Sequence, residues 1–107
     1  MAKFRQLLSG VDMVESSGNL NVDISGIEYN SQKVQKGSIF VAIKGFNEDG
    51  AAFIEDAIQR GAAGIVLEDS DEKDIKEKKT LIQDKEDSMT GAAIVKNSRK
   101  ALASLSA

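Results

Sequence analysis

An α/β domain, built on a mixed or mainly parallel sheet of about five strands flanked by helices, is what this sequence predicts, and three observations carry the prediction. Two short runs of β-forming apolar residues, "IFVAI" (39–43) and "GIVL" (64–67), stand on either side of a segment whose apolar residues recur at helical spacing. The order strand, helix, strand reads as a βαβ unit with parallel strands and a right-handed crossover. A third run of the same kind, "AAIV" (92–95), is again followed by a helical pattern.

Taken in order, "AKFRQLLSG" places Phe4, Leu7 and Leu8 at helical intervals before Gly10, which predicts a short helix. "VDMVESSGNLNVD" carries Gly18 among polar residues and reads as a loop or a weak extended segment. Ile24 and residues 27–29 then predict a strand that ends near Asn30. Lys36 and Gly37 signal a turn, and the unbroken apolar run 39–43 is that of a strand buried on both faces, which predicts a central position. From 51 to 60, Phe53, Ile54, Ala57 and Ile58 share one helix face, and Gly61 fits the position just past a helix end. "EDSDEKDIKEKKT" mixes both charge signs and reads as a solvated loop or surface helix. "TLIQDKEDSMTG" is open between a hairpin arm and a loop. Asn97 is the expected cap of a last helix, with Leu102 and Leu105 on one face. The sequence stops within that helix, so a piece of a longer polypeptide is expected.

Composition narrows the function. At 107 residues the chain has room for one domain. The apolar fraction of 41% and charged fraction of 29% are those of a globular protein, and no apolar run approaches the roughly 20 residues of a membrane span. No membrane partner is expected. A formal net charge of -3 argues against general binding of nucleic-acid backbone. With no histidine and no cysteine, the usual transition-metal ligands, histidine general bases and disulfides are all absent. Together with the lack of a secretory leader, this makes a cytoplasmic location the expectation.

"KGFNEDG" falls between a buried strand and the following helix, and "YNSQK" falls at the end of the preceding strand. In open α/β sheets these positions line the crevice at the carboxyl ends of the strands, where backbone N–H groups and helix N-termini favour anions. Gly45 and Gly50 allow sharp turns, Ser31 and Asn47 bring hydrogen-bonding groups, and Phe46 offers a flat face. The plainer alternative stands beside this one: Asp49 caps the helix, Phe46 closes the core edge and Ser31 satisfies a turn. Neither G-x-G-x-x-G nor G-x-x-x-x-G-K-[ST] occurs, so a self-sufficient nucleoside triphosphate site is not expected.

The stretch "NSQKVQKGSIFVAIKGFNEDGAAFIEDAIQRGAAGIVLE" resembles the N-terminal domain of MurE-type Mur ligases, the UDP-N-acetylmuramoyl-tripeptide synthetases of peptidoglycan assembly. The closing "AAIVKNSRKALASLSA" is similar to the strand and helix that end that domain, whereas residues 69–91 match poorly. The MurF type shares the first half of the pattern; the spacing from Gly45 to Gly50 and the "GAAGIVLE" ending favour MurE. The resemblance implies that residues 1–107 hold the uridine-diphosphate part of UDP-MurNAc-L-Ala-D-Glu within a three-domain ligase. Tyr29 and Ser31 would contact it from the strand end, and Phe46, Asn47 and Glu48 from the loop. Because a carboxylate repels phosphate, Glu48 is expected to act through its backbone. ATP and magnesium would belong to the central ATPase domain of the full-length enzyme, and no catalytic or metal-binding residue is expected here. "NSQ" departs from the family's D-S-R, and Ala51 stands where the family often has histidine. A stand-alone nucleotide-binding module of the same architecture and a purely structural interaction domain remain as alternatives.

Overall fold

Side-chain alternation along three buried strands organises the molecule. The computed structural model describes residues 3–18, 20–42, 50–68, 76 and 90–106. In chain order the elements are α1 (Phe4–Leu8), β1 (Met13–Ser17), β2 (Gly26–Glu28), a 3-10 turn (Ser31–Lys33), β3 (Ser38–Val41), α2 (Gly50–Gln59), β4 (Gly64–Glu68), β5 (Gly91–Val95) and α3 (Ser98–Ser106). The strands form one five-stranded sheet in the order β1-β5-β4-β3-β2. β2, β3, β4 and β5 run parallel, and β1 pairs antiparallel with β5, so the sheet is mixed.

Successive strand residues point to opposite faces, and both faces are covered by helices. Ile39, Val41, Val66, Ala93 and Val95 face Phe4 and Leu8 of α1 and Ala101 and Leu105 of α3. Phe40, Ile65, Leu67, Ala92 and Ile94 face Ile54 and Ala57 of α2. Every residue of β3 and β5 is buried, as continuous apolar runs between two layers require. β3 is interior, with β2 and β4 as neighbours, and β4 holds the middle place. Among the described residues no helix is long and apolar enough to cross a membrane.

α2 ends as the sequence predicts, and the geometry gives the reason. Gly61 has φ +100°, the N–H of Gly61 donates to the Ile58 carbonyl at 3.0 Å, and the N–H of Ala62 donates to the Ala57 carbonyl at 3.0 Å. This is the paired hydrogen-bond pattern of a Schellman motif, with the left-handed residue a glycine because a Cβ is disfavoured there. The same turn fastens β3, since the N–H of Gly37 donates to the Gly61 carbonyl at 3.0 Å.

α1 is only one turn and is held from outside. The N–H groups of Phe4 and Arg5 donate to the carbonyls of Val22 and Leu20 at 3.0 and 2.9 Å, which satisfies donors that a helix start leaves open. Phe4, fully buried, lies over Gly64 so closely that a Cβ there would meet the ring at 2.5 Å. β1 resolves the open reading of "VDMVESSGNLNVD": it is extended and paired, with an irregular register between Met13 and Glu15. Its position at the sheet edge leaves Met13 and Val14 partly exposed.

Candidate functional site

The carboxyl ends of β2, β3 and β4 share one edge of the sheet, and the described site residues come from the connection that leaves β2. β2 is only three residues long, so residues 29–37 are enough to return the chain to the start of the parallel neighbour β3. Tyr29 follows β2 directly and is 51% exposed. Ser31 opens the 3-10 turn and is 2% exposed. The end of β3 is anchored by the Ala42 N–H, which donates to the Val66 carbonyl at 2.9 Å, and α2 starts at Gly50. Phe46, Asn47 and Glu48 lie outside the described residues, as do Gly45 and Asp49. The structure places Tyr29 and Ser31 on the one connection that leaves β2.

Asn30 shapes the turn. Its backbone is extended, and its Oδ1 accepts the Gln32 N–H at 3.0 Å, the local side-chain cap that Asn makes readily. The carbonyls of Asn30 and Ser31 accept the N–H groups of Lys33 and Val34 at 3.0 and 3.2 Å. Val34 then inserts into the core facing α2, so the turn is pinned on that helix. Within this turn the Ser31 Oγ is buried and has no hydrogen-bond partner among the described residues. Leaving a buried hydroxyl unpaired costs about 1–3 kcal/mol, and buried polar side chains are as a rule satisfied by protein, water or ligand.

Sequence reading did not single out Arg60. It is the residue after α2, and its Nε donates to both carboxylate oxygens of Asp56 at 3.1 and 3.2 Å. Its Nη1 donates to the Gln32 carbonyl in the 3-10 turn at 3.2 Å. An Asp and an Arg four apart on a helix are a readable ion pair. The reach from α2 to the turn spans 28 residues of sequence and has no local signal.

Two surface depressions occur among the described residues, the first sharing Arg60 with this turn. One, of about 540 Å³, lies at the amino ends of β3, β4 and β5 between Lys36, Ile58, Arg60, Ala63 and Thr90. The other, of about 460 Å³, lies where β5 passes into α3, against Gly10, Asp12, Lys96, Asn97 and Lys100. Its polar groups are engaged with one another: Lys96 Nζ is 3.9 Å from Asp12, and Asn97 Oδ1 accepts the Lys100 N–H at 3.0 Å. Among the described residues no group of three or more acidic side chains is placed to hold a metal ion.

Comparison with known proteins gives a consistent picture. The family described as "Mur ligase family, catalytic domain" matches residues 23–107. A UDP-N-acetylmuramoyl-L-alanyl-D-glutamate--2,6-diaminopimelate ligase 2 of Clostridium acetobutylicum is 42% identical over 103 residues, covering 96% of this chain and 19% of the relative. Ligases with the same name, without the numeral, are 39% identical in Clostridium tetani and 36% identical in Cytophaga hutchinsonii, covering 94% and 89% of this chain. The chain spans only about a fifth of the length of these relatives.

Proposed function

The chain belongs to the Mur ligase family, and from that premise we propose that it is the N-terminal, UDP-substrate-binding domain of a MurE-type ligase. In this reading it holds the uridine-diphosphate part of UDP-N-acetylmuramoyl-L-alanyl-D-glutamate. The names of the relatives favour 2,6-diaminopimelate as the amino acid that the full-length enzyme adds in peptidoglycan synthesis, in the cytoplasm. Tyr29 and Ser31 act from the end of β2, and Phe46, Asn47 and Glu48 from the connection between β3 and α2.

The observation that carries the reading is the Ser31 hydroxyl. It is buried, unpartnered and carried on the connection that leaves β2, where the resemblance expects the nucleotide. A hydroxyl can both donate and accept, which suits the carbonyl and N–H edge of a uracil ring or a phosphate oxygen. Tyr29, half-exposed beside it, supplies apolar area for a flat base.

ATP and magnesium belong to other domains of the full-length enzyme in this reading. Residues 1–107 contain no G-x-x-x-x-G-K-[ST] loop. The contribution of this domain to the reaction is positional. Binding energy from the nucleotide end of the substrate, remote from the reacting carboxylate, fixes that carboxylate in place for the chemistry performed elsewhere.

The test is the UDP affinity of Ser31→Ala. Loss of one hydrogen bond to the ligand weakens binding by about 0.5–1.5 kcal/mol. Unchanged affinity in a folded variant would remove Ser31 from the site.

A further inference from the structure

We propose that Arg60 is a positioning residue that holds the Ser31 hydroxyl ready for its ligand by bracing the 3-10 turn from the end of α2. The inference rests on the uridine-diphosphate reading of Ser31 and adds to it a residue outside the expected contact set.

The hydrogen bonds of the turn point to this role. The bonds that close it, Gln32 N–H to Asn30 Oδ1, Lys33 N–H to the Asn30 carbonyl and Val34 N–H to the Ser31 carbonyl, all span three residues or fewer. They define the shape of the turn without defining where it sits on the rest of the molecule. They also leave the Gln32 carbonyl available, and Arg60 Nη1 donates to it at 3.2 Å. Gln32 is the residue next to Ser31, so a shift of its peptide carries the serine hydroxyl with it. In turn, the guanidinium is held by Asp56, whose two oxygens lie 3.1 and 3.2 Å from Nε. A planar guanidinium fixed at one nitrogen has its other nitrogens aimed, and for that reason Arg and Lys are not interchangeable at such a place.

The energetics separate positioning from stability. The Asp56–Arg60 pair is open to solvent, with side chains 36% and 43% exposed, and exposed pairs at this spacing contribute only a few tenths of a kcal/mol. Removing Arg60 therefore changes folding little. Its effect on binding is larger, because Val34 still anchors the turn on α2 while the Gln32 peptide loses its bond to Arg60 and must be ordered when the ligand arrives, and that ordering lowers affinity.

A double-mutant cycle on UDP affinity tests the proposal, with wild type, Ser31→Ala, Arg60→Gln and the double variant measured by titration calorimetry, and melting temperatures recorded alongside. If Arg60 acts through Ser31, Arg60→Gln weakens UDP binding about 3- to 10-fold with the serine present and has less than about a 2-fold effect in the Ser31→Ala background. Arg60→Lys keeps the charge but lacks the fork, so it shows the same loss; it also serves as the second variant should Arg60→Gln fail to fold. An equal loss with and without the Ser31 hydroxyl, or no loss in either arginine variant, overturns the proposal while leaving the uridine-diphosphate reading intact. If Ser31→Ala alone does not weaken UDP binding, Ser31 leaves the site and the Arg60 proposal falls with it.

Discussion

Ser31 is an uncommon serine: the residue is 2% exposed, and its hydroxyl has no partner among the described residues. An unpaired buried hydroxyl destabilises the free protein, and alanine, which lacks that oxygen, does not carry the cost. Ser31→Ala is therefore expected to leave the melting temperature unchanged or to raise it, corresponding to a gain of up to about 1–3 kcal/mol, while UDP affinity falls. Thermal denaturation monitored by circular dichroism checks the sign; a clear fall would mean that the hydroxyl has a stabilising partner in the free protein. Part of this was legible in the sequence. A serine at the end of a strand and ahead of a βαβ crevice is readable as a candidate from its position alone. Its burial was not readable, because "YNSQK" is polar throughout and the Asn30 cap that turns Ser31 inward leaves no periodic trace. The distant bond from Arg60 to Gln32 is likewise silent in the sequence. Phe46 and Asn47 are readable as candidates from their place in the loop and Glu48 only through the family resemblance, and all three lie outside the described residues.

α2 and the strands beside it show which elements local sequence specifies. Phe53, Ile54, Ala57 and Ile58 form one stripe, and Gly61 takes the left-handed position that closes the helix, so both the face and the end of α2 were readable. β3, β4 and β5 were readable as apolar runs because both of their faces are covered. β1 was not, since an edge strand needs only half of its residues to be apolar, and "MVESS" meets that minimum with Met13 and Val14 partly exposed. Two substitutions follow at this scale. Gly61→Ala places a Cβ at positive φ and 3.0 Å from the Lys36 Cα, so a loss of about 1–2 kcal/mol in urea denaturation is expected. Gly64→Ala drives a methyl group to 2.5 Å from the Phe4 ring, and overpacking of that kind costs about 1–3 kcal/mol. Combining Gly64→Ala with Phe4→Leu should recover part of the loss, because the smaller side chain vacates the space. Full stability in either glycine variant would contradict the packing described for these two positions.

For the molecule as a whole, a mixed five-stranded sheet lies between helices, the chain belongs to the Mur ligase family, and the proposal that the connection after β2 holds uridine diphosphate rests on the two together. The chain spans about a fifth of its relatives and carries no triphosphate loop. Incubated with ATP, magnesium, UDP-N-acetylmuramoyl-L-alanyl-D-glutamate and 2,6-diaminopimelate, it should form no tripeptide and release no phosphate; turnover by the pure chain would place catalytic groups within these residues. On the proposed reading the rest of the substrate is held by other domains, so weak binding is expected. The most direct measurement is a titration of the isotopically labelled chain with UDP, and separately with AMP, followed by NMR. UDP should shift the resonances of Tyr29, Ser31 and residues 45–50 more than those of residues 69–79, and AMP should do so less. Equal shifts with AMP, or shifts confined to residues 69–79, would contradict the assignment of a uridine-diphosphate site to the connection after β2.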